Sequence, residues 1–369
     1  MKATLLAENL QKKISFLNHA VSTRSQLPIL SNILIETKKG KLKMSATDLE
    51  IGIITHVPAN IEEEGSVTVP AKTFSELVAN INEGKIELSL ENKALVFKGP
   101  RVKAVFQTMP AEDFPKIYEE KGEEVARIAR GEIEKEFSRV VFSAAQDTGR
   151  PALSGVLLGQ DVKDFTVVAT DGYRLSLRRG LSAGGKKGES VSMLIPARVI
   201  RELFSIKDEG EYVSVLVSNE SSQVIFSQGE TILVGRLIEA EYPAYEKILP
   251  SSFSTLTTFG KAPLLNAVKI CSVFARDTAN IVKFSIEKEK IIVSANTPSV
   301  GENRVEIEAK TEGEENEIAF NARYLLDFLG NIDDEDILFE MTGPLNPGVF
   351  KIKGEPNFLH LIMPIRVQE

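Results

Sequence analysis

Two aspartates, Asp48 and Asp171, each end the tripeptide "ATD", and they are the best candidates for acid–base chemistry in the sequence. A third copy of the pattern, "ANT", ends in Thr297 instead. Carboxylates from two separate repeats could form a catalytic pair. A Thr-Asp pair is also typical of a turn, because the carboxylate accepts hydrogen bonds from nearby backbone N–H groups. Gly172 favours the turn, since glycine adopts a positive φ without steric strain.

Metal, thiol and nucleotide chemistry have little support elsewhere. The three histidines lie far apart, with no spacing typical of metal ligands: His19, His56 and His360. The single cysteine, Cys271, excludes an internal disulfide and falls on the apolar face of a predicted helix, where a buried thiol is inert. The segment "GLSAGGKK" has phosphate-loop spacing, but Lys187 stands where a Ser or Thr would hold magnesium. We therefore expect neither a metal nor a cofactor.

The composition is that of an ordinary globular protein. The chain has 369 residues, 43% of them hydrophobic, which is enough for two or three domains with a sizeable core. No run approaches the roughly 18 apolar residues of a membrane span, and the first residues do not read as a signal peptide. One cysteine fits a reducing compartment. These features predict a cytoplasmic protein.

The sequence contains three copies of one pattern. The motif consists of an apolar residue, one variable residue, Ala and a base, and it starts at residues 69, 195 and 320. The Ala-base pairs are Ala71-Lys72, Ala197-Arg198 and Ala322-Arg323. The "ATD", "ATD" and "ANT" tripeptides recur with nearly the same period, and "MP" occurs at 109–110 and again at 363–364. Three markers in one order indicate a triplicated domain.

Each copy has the same predicted layout. A helix opens it, at residues 7–21, 131–145 and 261–275, and the Ala-base segment forms a second, shorter helix. Alternating strands lie between the helices, and a strand pair closes the copy, as in "KIELSLENKALVFKG". We predict an α+β chain of three similar domains, with boundaries at 1–126, 127–252 and 253–369.

Positive charge is concentrated on the predicted helices. The six helical segments together carry a net charge of +6, so the rest of the chain carries −14, against −8 for the whole chain. Solvated lysines and arginines on helices are the ordinary explanation. A basic helical surface on an acidic body, repeated three times, also suits a face that contacts a polyanion and an outer face that repels it.

The whole chain resembles the bacterial DNA polymerase III beta subunit family, the sliding clamps. The resemblance rests on the triplication and on six motifs: "LPILSNILIE" (27–36), "TVPAKTF" (68–74), "ATDGYRL" (169–175), "EYPAYEKILP" (241–250), "FNARYLL" (320–326) and "LIMPIR" (361–366). It implies a DNA-clamp fold in which a head-to-tail homodimer closes as a ring around double-stranded DNA. Helices would line a central hole and antiparallel sheets would lie outside. Such a clamp has no catalysis of its own and tethers the replicative polymerase, the clamp loader and repair polymerases through short peptide motifs.

The resemblance also implies residues of a peptide pocket and of a dimer interface, and the basic helical segments supply candidates for phosphate contacts. The peptide pocket would contain Leu153, Thr170, Gly172, Tyr173, Arg174, Leu175, Pro243, Lys247, Ile248, Leu361, Ile362, Met363, Pro364, Ile365 and Arg366. The dimer interface would contain Phe106, Val273 and Phe274. Candidates for sequence-independent phosphate contacts are Arg24, Lys72, Arg150, Arg198, Arg201, Lys269 and Arg276.

The chain departs from the family pattern in places. Tyr173 stands where His is common, Lys247 stands where Arg is common, and "VQE" extends past the usual end. Two other functions remain open on the sequence alone. One is a DNA-acting enzyme that uses Asp48 and Asp171, and the other is a repeat scaffold with no nucleic-acid partner.

Overall fold

The computed structural model describes residues 1–22, 26–81, 83–117, 122–147, 149–160, 164–182, 192–218, 222–276, 279–299 and 301–366. They form two compact units. The first contains the described parts of Met1–Gly131 and Arg198–Leu237, and the second contains those of Glu132–Ala183, Glu189–Ala197 and Ile238–Glu369. The middle sequence copy therefore contributes to both units.

In its described residues, the first copy has two α-helices and nine strands. Its opening helix buries Ala7, Leu10, Ile14 and Leu17 on one face, as helical spacing predicts. Its second helix begins directly after Pro70 at the predicted Ala-base segment. The elements are β1 (Lys2–Leu6), α1 (Ala7–Leu17), β2 (Asn32–Lys38), β3 (Lys41–Thr47), β4 (Ile51–Pro58), β5 (Asn60–Glu63), β6 (Ser66–Pro70), α2 (Ala71–Ala79), β7 (Lys85–Glu91), β8 (Ala94–Gly99) and β9 (Val102–Gln107).

The second copy departs from the predicted helix at 131–145. Its helical stretch ends at Val141 and is wound as a π-helix over Ile133–Phe137. Two charged side chains of this stretch, Glu136 and Arg139, point inward and are buried, which an apolar periodicity does not predict. The elements are β10 (Glu123–Ala129), α3 (Arg130–Glu132), α4 (Ser138–Val141), β11 (Gly155–Gln160), β12 (Asp164–Thr170), β13 (Arg174–Ser182), β14 (Ser192–Pro196), α5 (Ala197–Ser205), β15 (Tyr212–Ser218), β16 (Gln223–Gln228) and β17 (Thr231–Arg236).

The third copy has the longest helix, and its buried face includes Leu264, Val268 and Cys271 as predicted. At the start of its second helix, the Asn321 side chain accepts a hydrogen bond from the Arg323 N–H, a standard N-cap. The elements are β18 (Thr255–Gly260), α6 (Lys261–Ala275), β19 (Ile281–Ile286), β20 (Lys290–Thr297), β21 (Gly301–Gly313), β22 (Asn316–Asn321), α7 (Ala322–Gly330), β23 (Asp336–Met341), β24 (Gly348–Ile352) and β25 (Glu355–Ile362).

Strands of neighbouring copies pair within each unit. The first unit has a five-stranded sheet, β5-β1-β7-β8-β9, and an eight-stranded sheet, β10-β15-β16-β17-β4-β3-β2-β6. In the latter, β17 of the second copy pairs antiparallel with β4 of the first. The described residues of the second unit form a sheet of twelve strands, β14-β11-β12-β13-β25-β24-β23-β18-β21-β20-β19-β22. There β25 of the third copy pairs antiparallel with β13 of the second, so both junctions are backbone ladders.

Each junction also carries an ion pair at equivalent positions, and one partner of each pair is buried. Lys13 on α1 bonds Asp208 in the first unit, and Arg139 on α4 bonds Asp334 at 2.6 Å in the second. Burial alone would raise the pKa of the Asp208 carboxyl, but hydrogen bonds from Lys13, Thr231 and the Glu209 N–H outweigh it and lower that pKa. The two pairs recur with the sequence period, so the junctions are built alike.

Candidate functional site

The turn between β12 and β13 is held by Asp171. One carboxylate oxygen accepts hydrogen bonds from the N–H groups of Tyr173 at 2.9 Å and Arg174 at 3.0 Å. The other accepts from the Arg174 guanidinium at 3.0 Å. Gly172 between them has φ +91°. All the hydrogen bonds that the structure gives this carboxylate serve the turn.

Asp48 has the same role in the first copy. It accepts hydrogen bonds from the N–H groups of Glu50 at 3.0 Å and Ile51 at 2.9 Å, and it pairs with Arg198 at 2.6 Å. Leu49, the counterpart of Gly172, has φ +79°, which is unusual for a residue other than glycine. The two aspartates are therefore turn caps, which favours the turn interpretation over a catalytic pair.

Arg174 is a buried structural residue. The resemblance includes it in the peptide pocket, and its side chain is only 8% exposed. The guanidinium bonds Asp327 of α7 at 2.6 Å and the Phe142 carbonyl at 3.0 Å. It also lies over the Tyr324 ring at 4.6 Å. Its role is to join the turn to α7.

The structure brings "TDGYRL" and "LIMPIR" together, although they lie far apart in sequence. β13 and β25 are hydrogen-bonded neighbours, with Leu175 opposite Leu361 and Arg174 opposite Ile362. Beyond the ladder, the Met363 N–H donates to the Tyr173 carbonyl at 2.8 Å. The turn and the C-terminal segment thus form one continuous surface of the second unit.

An apolar cluster forms the floor of this surface. Its buried members are Val168, Leu175, Leu177, Val349 and Leu361. Partly buried side chains packed against them are Leu157, Tyr242, Tyr245, Leu249, Leu359 and Met363. Ile362 points into the main core of the unit instead. We call the first two groups together the β13–β25 floor.

Exposed residues surround the floor. Tyr173 and Ile248 are 57% and 38% exposed, and Pro243, Lys247 and Arg366 are exposed as well. Pro364 and Ile365 are half-buried, Thr170 is buried, and buried Leu153 lies about 3.9 Å from where a Cβ on Gly172 would stand. Apolar and Met side chains with a polar rim suit an extended peptide with apolar anchors.

Arg150 lies at this surface too. Its guanidinium stands 3.4 Å from the position of a Cβ on Gly172. The sequence assigned Arg150 to phosphate contacts, whereas the structure places it beside the turn of the candidate pocket. An exposed cation here can meet a carboxylate of a bound peptide.

Several residues of the β13–β25 floor were not among the site residues named from the sequence. Tyr242 and Tyr245 belong to the floor, and burial raises the pKa of both phenols. Val349 and Leu177 complete it from β24 and β13. The "YPAY" motif was a usable signal for the tyrosines. Val349 and Leu177 had no such signal, because apolar and polar residues alternate around them as in any half-buried strand.

The other phosphate-contact candidates are placed as follows. Lys72, Arg201, Lys269 and Arg276 are exposed, and Arg24 lies outside the described residues. Arg198 is half-exposed and is paired with Asp48, Glu50 and Glu202. Because carboxylates surround it, Arg198 is a poorer candidate for a phosphate than the other four.

The interface candidates differ in exposure. Phe106 is 6% exposed, and its ring packs edge-on against Phe74 at 5.4 Å, so it belongs to the core of the first unit. Its neighbour Val105 is 57% exposed. On α6, Val273 is 55% exposed and Phe274 packs partly against the core of the second unit.

Two further findings concern metal binding and membrane-spanning helices. In the part of the chain that the structure describes, no three His, Cys, Asp or Glu side chains are placed to hold a metal ion. Among the described helices, none is both long and apolar enough to cross a membrane. Most of the "GLSAGGKK" segment, from residue 183, lies outside the described residues.

Family models match almost all of the chain. The N-terminal, central and C-terminal domains of the DNA polymerase III beta subunit match residues 1–118, 127–244 and 246–366. The chain belongs to the DNA polymerase III beta subunit family. The predicted fold, three repeated domains of the DNA-clamp type built from antiparallel sheets and a few helices, is confirmed.

Several relatives align with this chain over the full length of both chains. The beta sliding clamps of Synechocystis sp. and Pseudomonas putida are 27% and 26% identical, with both chains completely covered. Among solved structures, the DNA polymerase III beta subunit of Thermotoga maritima has a TM-score of 0.92 at 29% identity, and the sliding clamp of Bacillus subtilis has 0.94 at 25%, both with full coverage. A Pseudomonas aeruginosa sliding clamp solved with bound griselimycin has 0.93 at 26%, again with full coverage.

Proposed function

We propose that this chain is a non-catalytic processivity clamp of the cytoplasm. Two copies close as a ring around double-stranded DNA without reading its sequence. The ring tethers the replicative polymerase and also binds the clamp loader and repair polymerases through the β13–β25 floor. The observation that carries this proposal is the twice-repeated β ladder between copies.

The same ladder can form a third time, between two chains. β4, β13 and β21 are equivalent strands of the three copies, and β9, β17 and β25 are the strands that end them. Two of the equivalent pairs, β4 with β17 and β13 with β25, form within the chain. The remaining pair is β21 with β9. Pairing of β21 in one chain with β9 in another repeats the same head-to-tail contact. The six copies of two chains then close as a ring if each contact rotates one copy by one sixth of a full turn relative to the next.

Both remaining strands have a free edge among the described residues. β9 ends its sheet and pairs only with β8, while residues 301–308 of β21 pair only with β20. An unpaired strand edge is a template for a second chain. Val105 on β9 exposes the apolar surface that such a contact would bury.

Retention on DNA tests the proposal. The protein, loaded by its clamp loader, should stay on nicked circular DNA and leave once that DNA is cut to a linear form. Native mass measurement of the free protein should give twice the chain mass of 40.6 kDa. A monomer, or equal retention on linear DNA, would contradict the ring.

Peptide titration tests the pocket separately. A fluorescent peptide from a polymerase tail should bind with micromolar affinity, on the order of −8 kcal/mol. Met363→Ala should weaken it, because Met363 packs against the floor. Ile270→Ala is a matched control, since Ile270 is 41% exposed in the same unit and lies outside the floor. Equal loss in both variants would place the pocket elsewhere.

A further inference from the structure

A cavity lies in the first unit between the sheet and the segment that follows β9. Its volume is about 350 Å³, near the lower end of the roughly 300–1,000 Å³ that is typical of small-molecule sites. One wall comes from β2 and β3, through Leu34, Glu36, Lys43 and Ser45, and the other comes from residues between 111 and 117. We call it the β2–β3 cavity.

The second copy shows which side chain can occupy this place. Leu34 is opposite Ser45 across β2 and β3, and Leu157 is opposite Val168 across the equivalent strands β11 and β12. The two pairs recur with the sequence period. Tyr242 packs on the cluster that contains Leu157 and Val168, and its hydroxyl donates to the Val168 carbonyl at 3.5 Å. In the second copy, a phenol ring therefore covers the surface that lines the cavity in the first.

The first copy lacks this ring because its covering segment is different. The second copy reads "AEYPAYEKI" at 240–248, whereas the first reads "AEDFPKI" at 111–117, which is shorter and contains no tyrosine. Its aromatic residue, Phe114, is 6% exposed and packs with Ile29 and Leu30. The β2–β3 cavity is the space that corresponds to Tyr242.

The β2–β3 cavity is separate from any counterpart of the peptide floor. Gly52 directly follows the first Thr-Asp turn and pairs with β17, as Leu175 follows the second turn and pairs with β25. Ile117 lies 2.8 Å from where a Cβ on Gly52 would stand, so it closes the place that Leu175 takes in the floor. The lining of the β2–β3 cavity shares no residue with the β13–β25 floor.

The lining suits a neutral aromatic ring that carries a hydroxyl group. Ser45 is only 3% exposed, and its hydroxyl can bond a phenol, which needs a hydrogen-bond partner when it is buried. Two acidic and two basic side chains complete the polar lining: Glu36, Lys43, Glu112 and Lys116. Glu36 and Lys43 pair at 3.3 Å. Because these charges balance, the cavity has no preference for an ion of either sign.

We propose that the β2–β3 cavity binds the phenol ring of a second molecule. The ring lies against Leu34 with its hydroxyl at Ser45, as Tyr242 lies on the cluster with Leu157 and Val168 in the second copy. A tyrosine side chain and a free phenolic compound share this chemistry. The site requires neither ring closure nor the β13–β25 floor.

Two amino-acid amides that differ by one hydroxyl test the proposal. N-acetyltyrosinamide and N-acetylphenylalaninamide are titrated into the full-length protein and followed by ligand-observed NMR. The tyrosine amide should bind with a Kd on the order of 1 mM, and the phenylalanine amide about fivefold more weakly, because it lacks the hydrogen bond. p-Cresol separates the two sources. Equal binding of p-cresol supports a free phenol as ligand, and binding of the amide alone supports a tyrosine side chain.

Variants then locate the site. Ser45→Val should remove the preference for the hydroxyl, and Ala111→Trp should abolish binding by filling the cavity. Ala59→Trp is the matched control, because Ala59 is also half-buried in the first unit and does not line the cavity. Circular dichroism checks the fold of each variant.

Four results would overturn the proposal. They are absence of binding to the wild type, equal affinity for the two amides, unchanged affinity in folded Ala111→Trp, and loss of binding in folded Ala59→Trp. Binding that appears only in Tyr118→Ala, at a position outside the described residues, would overturn it in favour of the chain's own side chain as the occupant.

Discussion

His360 is buried on β25 between two aromatic rings. Its ring stacks on Phe328 at 4.8 Å, and its Nδ1 lies 2.8 Å from the Ser176 hydroxyl. Its Nε2 is buried and has no hydrogen-bond partner among the described residues. Burial, with a smaller contribution from the Arg174 charge, holds the pKa of His360 well below 6.5. The folded protein therefore keeps this imidazole neutral.

We expect acid to destabilise the protein through His360. Unfolding frees the imidazole to take up a proton near its ordinary pKa of 6.5, so the unfolded state binds more protons below that pH. Stability should fall on acidification from about pH 6.5, with a limiting slope of about 1.4 kcal/mol per pH unit for one proton. Urea unfolding of the wild type and His360→Gln at about pH 7.5 and about pH 5.5 measures it.

His56→Gln is the control for this experiment, because His56 lies in the other unit and is not buried. It should keep the wild-type slope, whereas His360→Gln should flatten it. A wild type equally stable at both pH values would show that His360 titrates normally.

Arg174 should matter for folding more than for ligand contact. Arg174→Ala removes the bonds to Asp171, Asp327 and the Phe142 carbonyl and leaves a buried space beside Tyr324. We expect a loss of about 3 kcal/mol in unfolding free energy. Arg179→Ala, on an exposed neighbour, should change it by less than about 0.5 kcal/mol. Urea denaturation compares the two, and similar midpoints would refute the structural role.

At the scale of elements, the two Thr-Asp turns should respond oppositely to substitution. Gly172→Ala puts a side chain at φ +91° and should destabilise by about 1 kcal/mol. Leu49→Gly relieves φ +79° at a residue that is 55% exposed, and it should be neutral or stabilising by up to about 1 kcal/mol. Thermal unfolding of both variants decides this. Destabilisation of similar size in both would mean that side-chain packing, not backbone conformation, controls these turns.

The sequence predicted the helices and strands better than the contacts between them. Apolar spacing located α1 and α6 and the β7–β8 hairpin, because those patterns are local. It missed the π-helical segment, whose buried Glu136 pairs with Arg178 of another element at 2.6 Å. It also gave no sign that Arg174 bonds Asp327 and the Phe142 carbonyl, because both lie far from it in sequence. Contacts between segments that are far apart in sequence produce no periodic pattern in the sequence.

At the scale of the whole molecule, the proposed seam between two chains is the contact to test. Val105→Glu on β9 and Val273→Glu on α6 each put a charge on an exposed apolar position. Each should convert dimers to monomers at micromolar concentration, because a buried unpaired charge costs several kcal/mol. Phe253→Glu, at a residue that is 50% exposed elsewhere in the second unit, should leave the mass unchanged.

Sedimentation velocity with circular dichroism measures both the mass and the fold. A folded dimer in Val105→Glu and Val273→Glu would remove these residues from the seam. An unfolded variant would instead show that the side chain serves its own unit, as Phe106 does beside Phe74.

The exchange of strands between copies limits how the gene can be divided. β17 and β4 belong to different copies, as do β25 and β13, yet each pair shares one ladder. A single repeat expressed alone would lack the strand with which β4 or β13 pairs. The unpaired edge would then be exposed and prone to aggregation. Truncations at the family domain boundaries should therefore precipitate. Fragments cut between residues 117 and 122, if made together, should reassemble into soluble protein, because each supplies the strand that the other lacks.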